Sequence, residues 1–124
     1  MSKRTVVVGL VAVAALALLT PSSTQAWSTR VNYLTFDTAV RIPGAVLTPG
    51  TYTFEAGPLG SDPNVVRVMT RRGNKVLFQG FTTEVSRTTN GPAAVSIGEA
   101  AQGAPQPITV WYETGTTRGH QFRY

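Results

Sequence analysis

Apolar and polar residues alternate along short runs of this chain, and most runs are closed by glycine, proline or asparagine. Thr51-Tyr52-Thr53-Phe54-Glu55-Ala56 is the clearest run. A period of two puts Tyr52, Phe54 and Ala56 on one face and Thr51, Thr53 and Glu55 on the other. Val66 and Val68 alternate with Arg67 and Met69. Ile108, Val110 and Tyr112 alternate with Thr109, Trp111 and Glu113, and His120, Phe122 and Tyr124 with Gln121 and Arg123. Asn32, Leu34 and Phe36 alternate with Val31, Tyr33 and Thr35. Val, Thr, Tyr and Phe are abundant in these runs and suit a pleated surface. After Ala26 there is no helical period of comparable strength.

The turn residues fit the same reading. Pro43-Gly44 and Pro49-Gly50 each match the centre of a type II turn, with Ala45-Val46-Leu47 as a short apolar link between them. Arg71-Arg72-Gly73-Asn74 separates two strand-like runs, so Val65 to Thr70 and Lys75 to Gln79 are expected to form a hairpin. A change of parity at Gly80 suggests a bulge there. Thr114 to Arg118 is expected to close a second hairpin into the carboxy-terminal strand. Between Arg87 and Pro107, glycine and proline recur and only Ala93 to Ile97 reads as a strand, a short one at an edge. Seven to eight short strands with such turns imply an all-β domain. The expected form is a single antiparallel β-sandwich, with a small barrel as the alternative.

The amino-terminal segment is of a different kind. Lys3-Arg4 precedes an uncharged run from Val6 to Leu19, and Ser22, Ser23 and Ala26 follow the helix-breaking Pro21. A basic start, a short apolar run and a small residue before the cut form a secretory signal pattern. The run is short of the roughly 20 residues that span a bilayer as a helix. Residues 1–26 therefore read as a signal peptide, cleaved between Ala26 and Trp27, and residues 27–124 as the single domain. This places the protein in the periplasm or outside the cell. Without residues 1–26 the 124-residue chain leaves 98 residues, and the 11 basic side chains lose Lys3 and Arg4. Nine basic and 6 acidic side chains then give a net charge of +3.

Several chemistries are excluded by residue type. The chain has no cysteine and one histidine, so disulfides and a structural zinc site, which needs about four nitrogen or sulfur ligands, are out of reach. A serine–histidine–acid arrangement could assemble only around His120, with Ser28, Ser61, Ser86 or Ser96, and none of these lies in a nucleophile-elbow context. Gly57-Pro58-Leu59-Gly60 lacks the lysine and helix of a phosphate loop. Asp62 and Asn64 supply two oxygens where calcium takes about 6–8. Glu55 and Glu113 sit on the polar parity of their runs and are expected to face solvent. No cofactor is expected, and the protein is read as non-catalytic.

Three features suggest a binding surface. Arg67, Arg71, Arg72 and Lys75 cluster on the first hairpin, where they could meet an anionic polymer or an envelope protein. No aromatic ladder accompanies them, which argues against specific nucleic-acid recognition. Trp111 lies beside Tyr112; if Tyr112 joins the core, Trp111 becomes an exposed platform for a sugar or small ligand, together with the 87–107 loop. The terminal aromatic strand resembles the last strand of an outer-membrane barrel. Membrane strands need about 9–11 residues, longer than these runs, so no membrane span is expected in residues 27–124. The function expected is a binding or structural role at the cell envelope or exterior. The alternatives are a small-ligand or carbohydrate-binding module and, less favoured, an enzyme with paired carboxylates.

The stretch from Val40 through Pro43-Gly44, Val46-Leu47 and Pro49-Gly50-Thr51-Tyr52 to Phe54 resembles a group of small secreted bacterial β-proteins. These carry an IPG-x-VL-x-PGTY-x-F motif after a signal peptide, and end in a tryptophan-containing strand followed by an aromatic strand. Ile108 to Tyr112 and Phe122 to Tyr124 are similar to those endings. The resemblance implies an exported all-β domain. It supplies no catalytic residue.

Overall fold

A computed structural model describes residues 30–124. The segment read as a signal peptide, with its expected Ala26–Trp27 cleavage site, lies outside the described residues. The fold is all-β, with two sheets packed face to face. Its ten strands are β1 (Val31–Phe36), β2 (Val40–Ile42), β3 (Ala45–Leu47), β4 (Gly50–Ala56), β5 (Val65–Thr70), β6 (Val76–Phe81), β7 (Thr83–Ser86), β8 (Ala94–Ile97), β9 (Gln106–Tyr112) and β10 (Arg118–Gln121). One sheet has four strands in the order β1-β4-β5-β6. The other has six, in which β3-β2-β9-β10-β7 form a path and β8 pairs with β9. Thr82 is the corner at which the chain passes from the first sheet to the second.

Alternation sets the four-stranded sheet. Tyr52 and Phe54 lie opposite Leu34 and Asn32 of β1, and Phe54 and Ala56 lie opposite Val68 and Val66 of β5. Opposed residues share a face, so these side chains point together into the sandwich. Phe54, Val66 and Val68 are fully buried there against Ile42, Leu47, Ile108 and Trp111 of the second sheet. An aromatic cluster joins the layers. The Phe54 ring centroid is 5.6 Å from that of Trp111 and 6.5 Å from that of Phe122, which is 5.5 Å from Phe78. Buried apolar area of this kind is the main stabilising term in a chain without cross-links.

Several local expectations are revised. The described residues form ten strands rather than seven or eight, because Ala45–Leu47 is a strand rather than a link and the run from Val76 divides at Thr82 into β6 and β7. One pairing is parallel: Val40 and Arg41 of β2 run beside Gln106 and Pro107 of β9, so the sandwich is mixed. Gly44 has φ 78°, as a type II turn requires, but Gly50 has φ 154° and begins β4. The second Pro-Gly pair is therefore not a type II turn. The bulge in β6 is at Leu77, not Gly80: Val68 opposes Phe78 while Met69 opposes Val76, leaving Leu77 as the extra residue. A second bulge lies in β9, where Ser96 opposes Val110 but Ile97 opposes Ile108. The added residue, Thr109, shifts the phase of β9. Ile108 and Trp111 consequently both reach the core, whereas simple alternation would have separated them.

Candidate functional site

The β5–β6 hairpin carries the basic residues to the surface. Its turn is fixed locally. The Thr70 hydroxyl donates to Asn74 Oδ1 at 2.7 Å, the Gly73 amide donates to the Thr70 carbonyl at 2.8 Å, and Gly73 adopts φ 75°. Only glycine takes that conformation without steric cost. Arg71, Arg72 and Lys75 are all exposed on this turn. The Arg71 guanidinium lies 4.0 Å from the centroid of the Tyr33 ring, on the outer face of the same sheet. Tyr33 is 56% exposed, so cation and ring form one accessible unit. Among the described residues no acid pairs with Arg71; the ring faces its charge instead.

Arg67 is placed differently from its three neighbours. It lies opposite Glu55 on the outer face, and its Nη2 donates to Glu55 Oε1 at 2.9 Å. Glu55 is buried, contrary to the expectation that it faces solvent. The reason is its central strand: β4 has β1 and β5 on either side, and the Arg67 side chain lies against the carboxylate. Of the four basic residues grouped by sequence, three form the exposed surface and Arg67 neutralises an acid within it.

Trp111 is also placed differently from the platform expected. It is fully buried, with Nε1 donating to Asn32 Oδ1 at 3.0 Å, and so offers no surface to a sugar or small ligand. The bulge at Thr109 turns it inward. Tyr112 takes the outer position, half-buried beneath the Arg87 guanidinium at 5.2 Å from the ring centroid.

The remaining acid–base groups are buried within the fold. His120 and Glu113 are 0% and 1% exposed, with His120 Nε2 2.6 Å from Glu113 Oε2. Glu113 was expected in solvent. It reaches the core because it shares the shifted phase of Trp111. The His120 ring stacks on the Trp111 ring, with centroids 5.1 Å apart. Its Nδ1 lies 3.4 Å from Thr82 Oγ1. The Thr82 hydroxyl donates to the Asn64 carbonyl at 2.8 Å, so its lone pairs face the imidazole and Nδ1 is the donor in that contact. Both ring nitrogens are thus engaged in tying the β6–β7 corner to β9 and β10.

The 87–107 segment is held by Arg87. Its guanidinium donates to four backbone carbonyls, those of Thr116 (3.0 Å), Pro92 (3.0 Å), Gly91 (2.9 Å) and Glu113 (3.0 Å). A shallow groove between Thr38-Ala39 and the segment containing Gln102, Gly103 and Pro105 has no charged lining residue. Among the described residues no three histidine, aspartate or glutamate side chains gather to share a metal ion, and Asp62 Oδ1 accepts from the Asn64 amide in a local turn. The residue whose role the sequence did not reveal is Asn32, polar at a core-facing position; His120, on the parity of Phe122, is buried as that parity implies. A buried indole N–H requires an acceptor, which gives Asn32 its purpose. No family model, curated protein or solved structure matches the chain.

Proposed function

We propose that this protein is an exported, non-catalytic β-domain that works by binding or structural contact at the cell envelope or exterior, with the β5–β6 hairpin as its contact surface. The observation that carries this reading is the accessible unit of Arg71, Arg72, Lys75 and Tyr33, in which the Arg71 guanidinium lies 4.0 Å from the ring centroid and Glu55 is already engaged by Arg67. Such a surface suits an anionic envelope polymer. Its guanidinium and ammonium groups attract phosphate or carboxylate, and the aromatic ring adds contact area. The non-catalytic part is supported by His120, whose two ring nitrogens are both engaged and whose side chain is inaccessible to a substrate. Export rests on the amino-terminal sequence pattern.

The test compares retention of residues 27–124 on immobilised polyphosphate and on neutral dextran as salt is raised. Retention on polyphosphate that weakens with salt, and is lost when Arg71, Arg72 and Lys75 are replaced by glutamine, is the expected result. Equal retention of the triple variant removes the hairpin as the contact surface. Turnover of any substrate that disappears in His120→Gln removes the non-catalytic reading.

A further inference from the structure

Arg71 leaves the β5–β6 hairpin and reaches across the sheet. Its carbonyl accepts the Thr53 hydroxyl at 3.1 Å, which ties its backbone to β4, and its guanidinium lies 4.0 Å from the ring centroid of Tyr33 on β1. β1 is the outermost strand of that sheet among the described residues. A cation of the hairpin is thereby held over the middle of a sheet edge.

The edge itself lacks the usual protection. Natural edges are kept from pairing with other chains by shortness, charge, proline or bulges. Among the other edge strands of the described residues, β3 has three residues, β6 has the Leu77 bulge, β7 contains Glu84, and β8 has four residues with Pro92 just before it. β1 has six residues, Val31–Phe36, with no charge, proline, glycine or bulge, and a regular register to β4. The Ala56 amide donates to the Arg30 carbonyl at 2.9 Å, so residues 30, 32, 34 and 36 make the bonds to β4. The N–H and C=O groups of Val31, Tyr33 and Thr35 therefore point away from the sheet.

Side chains and charge define what could continue this ladder. A residue of an added strand opposite Tyr33 stands on the outer face, beside the ring and the Arg71 guanidinium. Its two neighbours stand on the inner face, where Leu34 and Phe36 are half-buried against the core. Arg30 precedes the strand, with its guanidinium against Gly57 just past the end of β4, and Asp37 follows it, exposed. Over the middle of the edge the charge is that of Arg71, and among the described residues no acid pairs with it.

We infer that the edge of β1 takes an extended segment of a partner protein as an added strand, one in which acidic residues alternate with apolar ones. The backbone ladder holds the segment, Arg71 selects a carboxylate opposite Tyr33, and Leu34 and Phe36 select apolar residues between the acids. This rests on the hairpin as the contact surface and narrows its partner, because a polyanion without peptide groups meets the cations but does not continue the ladder.

Fluorescence anisotropy of a labelled peptide of alternating valine and glutamate, mixed with residues 27–124, tests this. The peptide is expected to bind, and a copy with glutamine in place of glutamate to bind more weakly. A copy methylated at its backbone nitrogens keeps the charges, loses the donors and should not bind. Arg71→Gln should weaken binding of the first peptide about fivefold. Thr35→Pro removes an outward N–H while leaving the bonds to β4, and should abolish peptide binding while retention on polyphosphate stays as in wild type. If Thr35→Pro fails to fold, the methylated peptide decides. No binding of the valine–glutamate peptide, binding that survives methylation or a folded Thr35→Pro protein, or equal affinity for the glutamine copy overturns the inference. The hairpin reading is judged separately: it stands while polyphosphate retention depends on Arg71, Arg72 and Lys75, and falls when that dependence is absent.

Discussion

The indole N–H of Trp111 donates to the side-chain carbonyl of Asn32 across 3.0 Å in the centre of the sandwich, and the same Asn32 oxygen accepts the backbone amide of Thr114 at 3.2 Å. One amide side chain on the first strand thus anchors both the ninth strand and the turn that follows it. The pair lies beside the Phe54–Trp111 contact, so a polar link is embedded in the largest aromatic cluster.

Replacing Asn32 with leucine leaves the buried indole N–H and the part-buried Thr114 amide without that acceptor. The expected loss is about 1–3 kcal/mol for each unsatisfied donor. Trp111→Phe removes one of those donors, so in urea unfolding the double variant should lose less than the two single losses combined. Additive losses would show that the link is not an energetic unit.

The His120–Glu113 pair should behave as a buried polar unit. Glu113→Leu leaves the imidazole facing an apolar side chain and is expected to cost about 3–5 kcal/mol. Glu113→Leu combined with His120→Phe removes both partners, keeps a ring against Trp111 and should recover part of that loss. Thermal unfolding of the three variants compares them directly. A double variant no better than Glu113→Leu contradicts the pairing as the source of the cost.

Arg87→Lys keeps the charge but cannot reach four carbonyls with one ammonium group. A loss of about 1–3 kcal/mol is expected, discounted because the guanidinium is only partly buried. The Gly115 amide, which donates to the Gly91 carbonyl at 2.7 Å, should exchange its hydrogen markedly faster. Unchanged exchange at Gly115 would mean that the two turns are held without the arginine.

Gly119 lies directly opposite Tyr112, whose ring carbons come within 2.7 Å of where a Cβ would stand, with Val85 at 3.0 Å. Gly119→Ala therefore displaces the ring on which Arg87 rests. The expected cost is about 1–3 kcal/mol from overpacking. Tyr112→Ala in the same chain should relieve the clash, and denaturant titration of the pair measures it. Gly119→Ala as stable as wild type would contradict this packing.

Burial raises the phenol of Tyr124 above the ordinary tyrosine range, against the opposing effects of the Arg41 charge and the bond to the Ile108 carbonyl. Burial is the larger influence, so the folded state holds the proton more tightly than the unfolded chain does. The contribution to stability is complete below the unfolded tyrosine value and is lost as pH rises through the folded one. Wild type should accordingly lose more stability than Tyr124→Phe between neutral and strongly alkaline pH. Thermal unfolding across that range measures the difference, and parallel curves would contradict it.

Alternation alone determined much of this protein. The faces of Tyr52, Phe54 and Ala56, the β5–β6 hairpin and the two-layer all-β class follow from a period of two closed by Gly and Pro turns, because a strand exposes opposite faces at successive residues. The basic character of the hairpin was equally local. Tertiary structure decided the rest. One inserted residue at Thr109 shifts the phase of β9, so Trp111 and Glu113 point inward and Tyr112 outward. A bulge is a relation between two strands and leaves no residue-type signature at Thr109. Likewise Glu55 is buried because its cross-strand neighbour is Arg67, and His120 is engaged because the Thr82 corner, 38 residues away in the chain, returns to meet it. A charge or an imidazole has a role only once its partner is known, and pairing between distant strands supplies that partner.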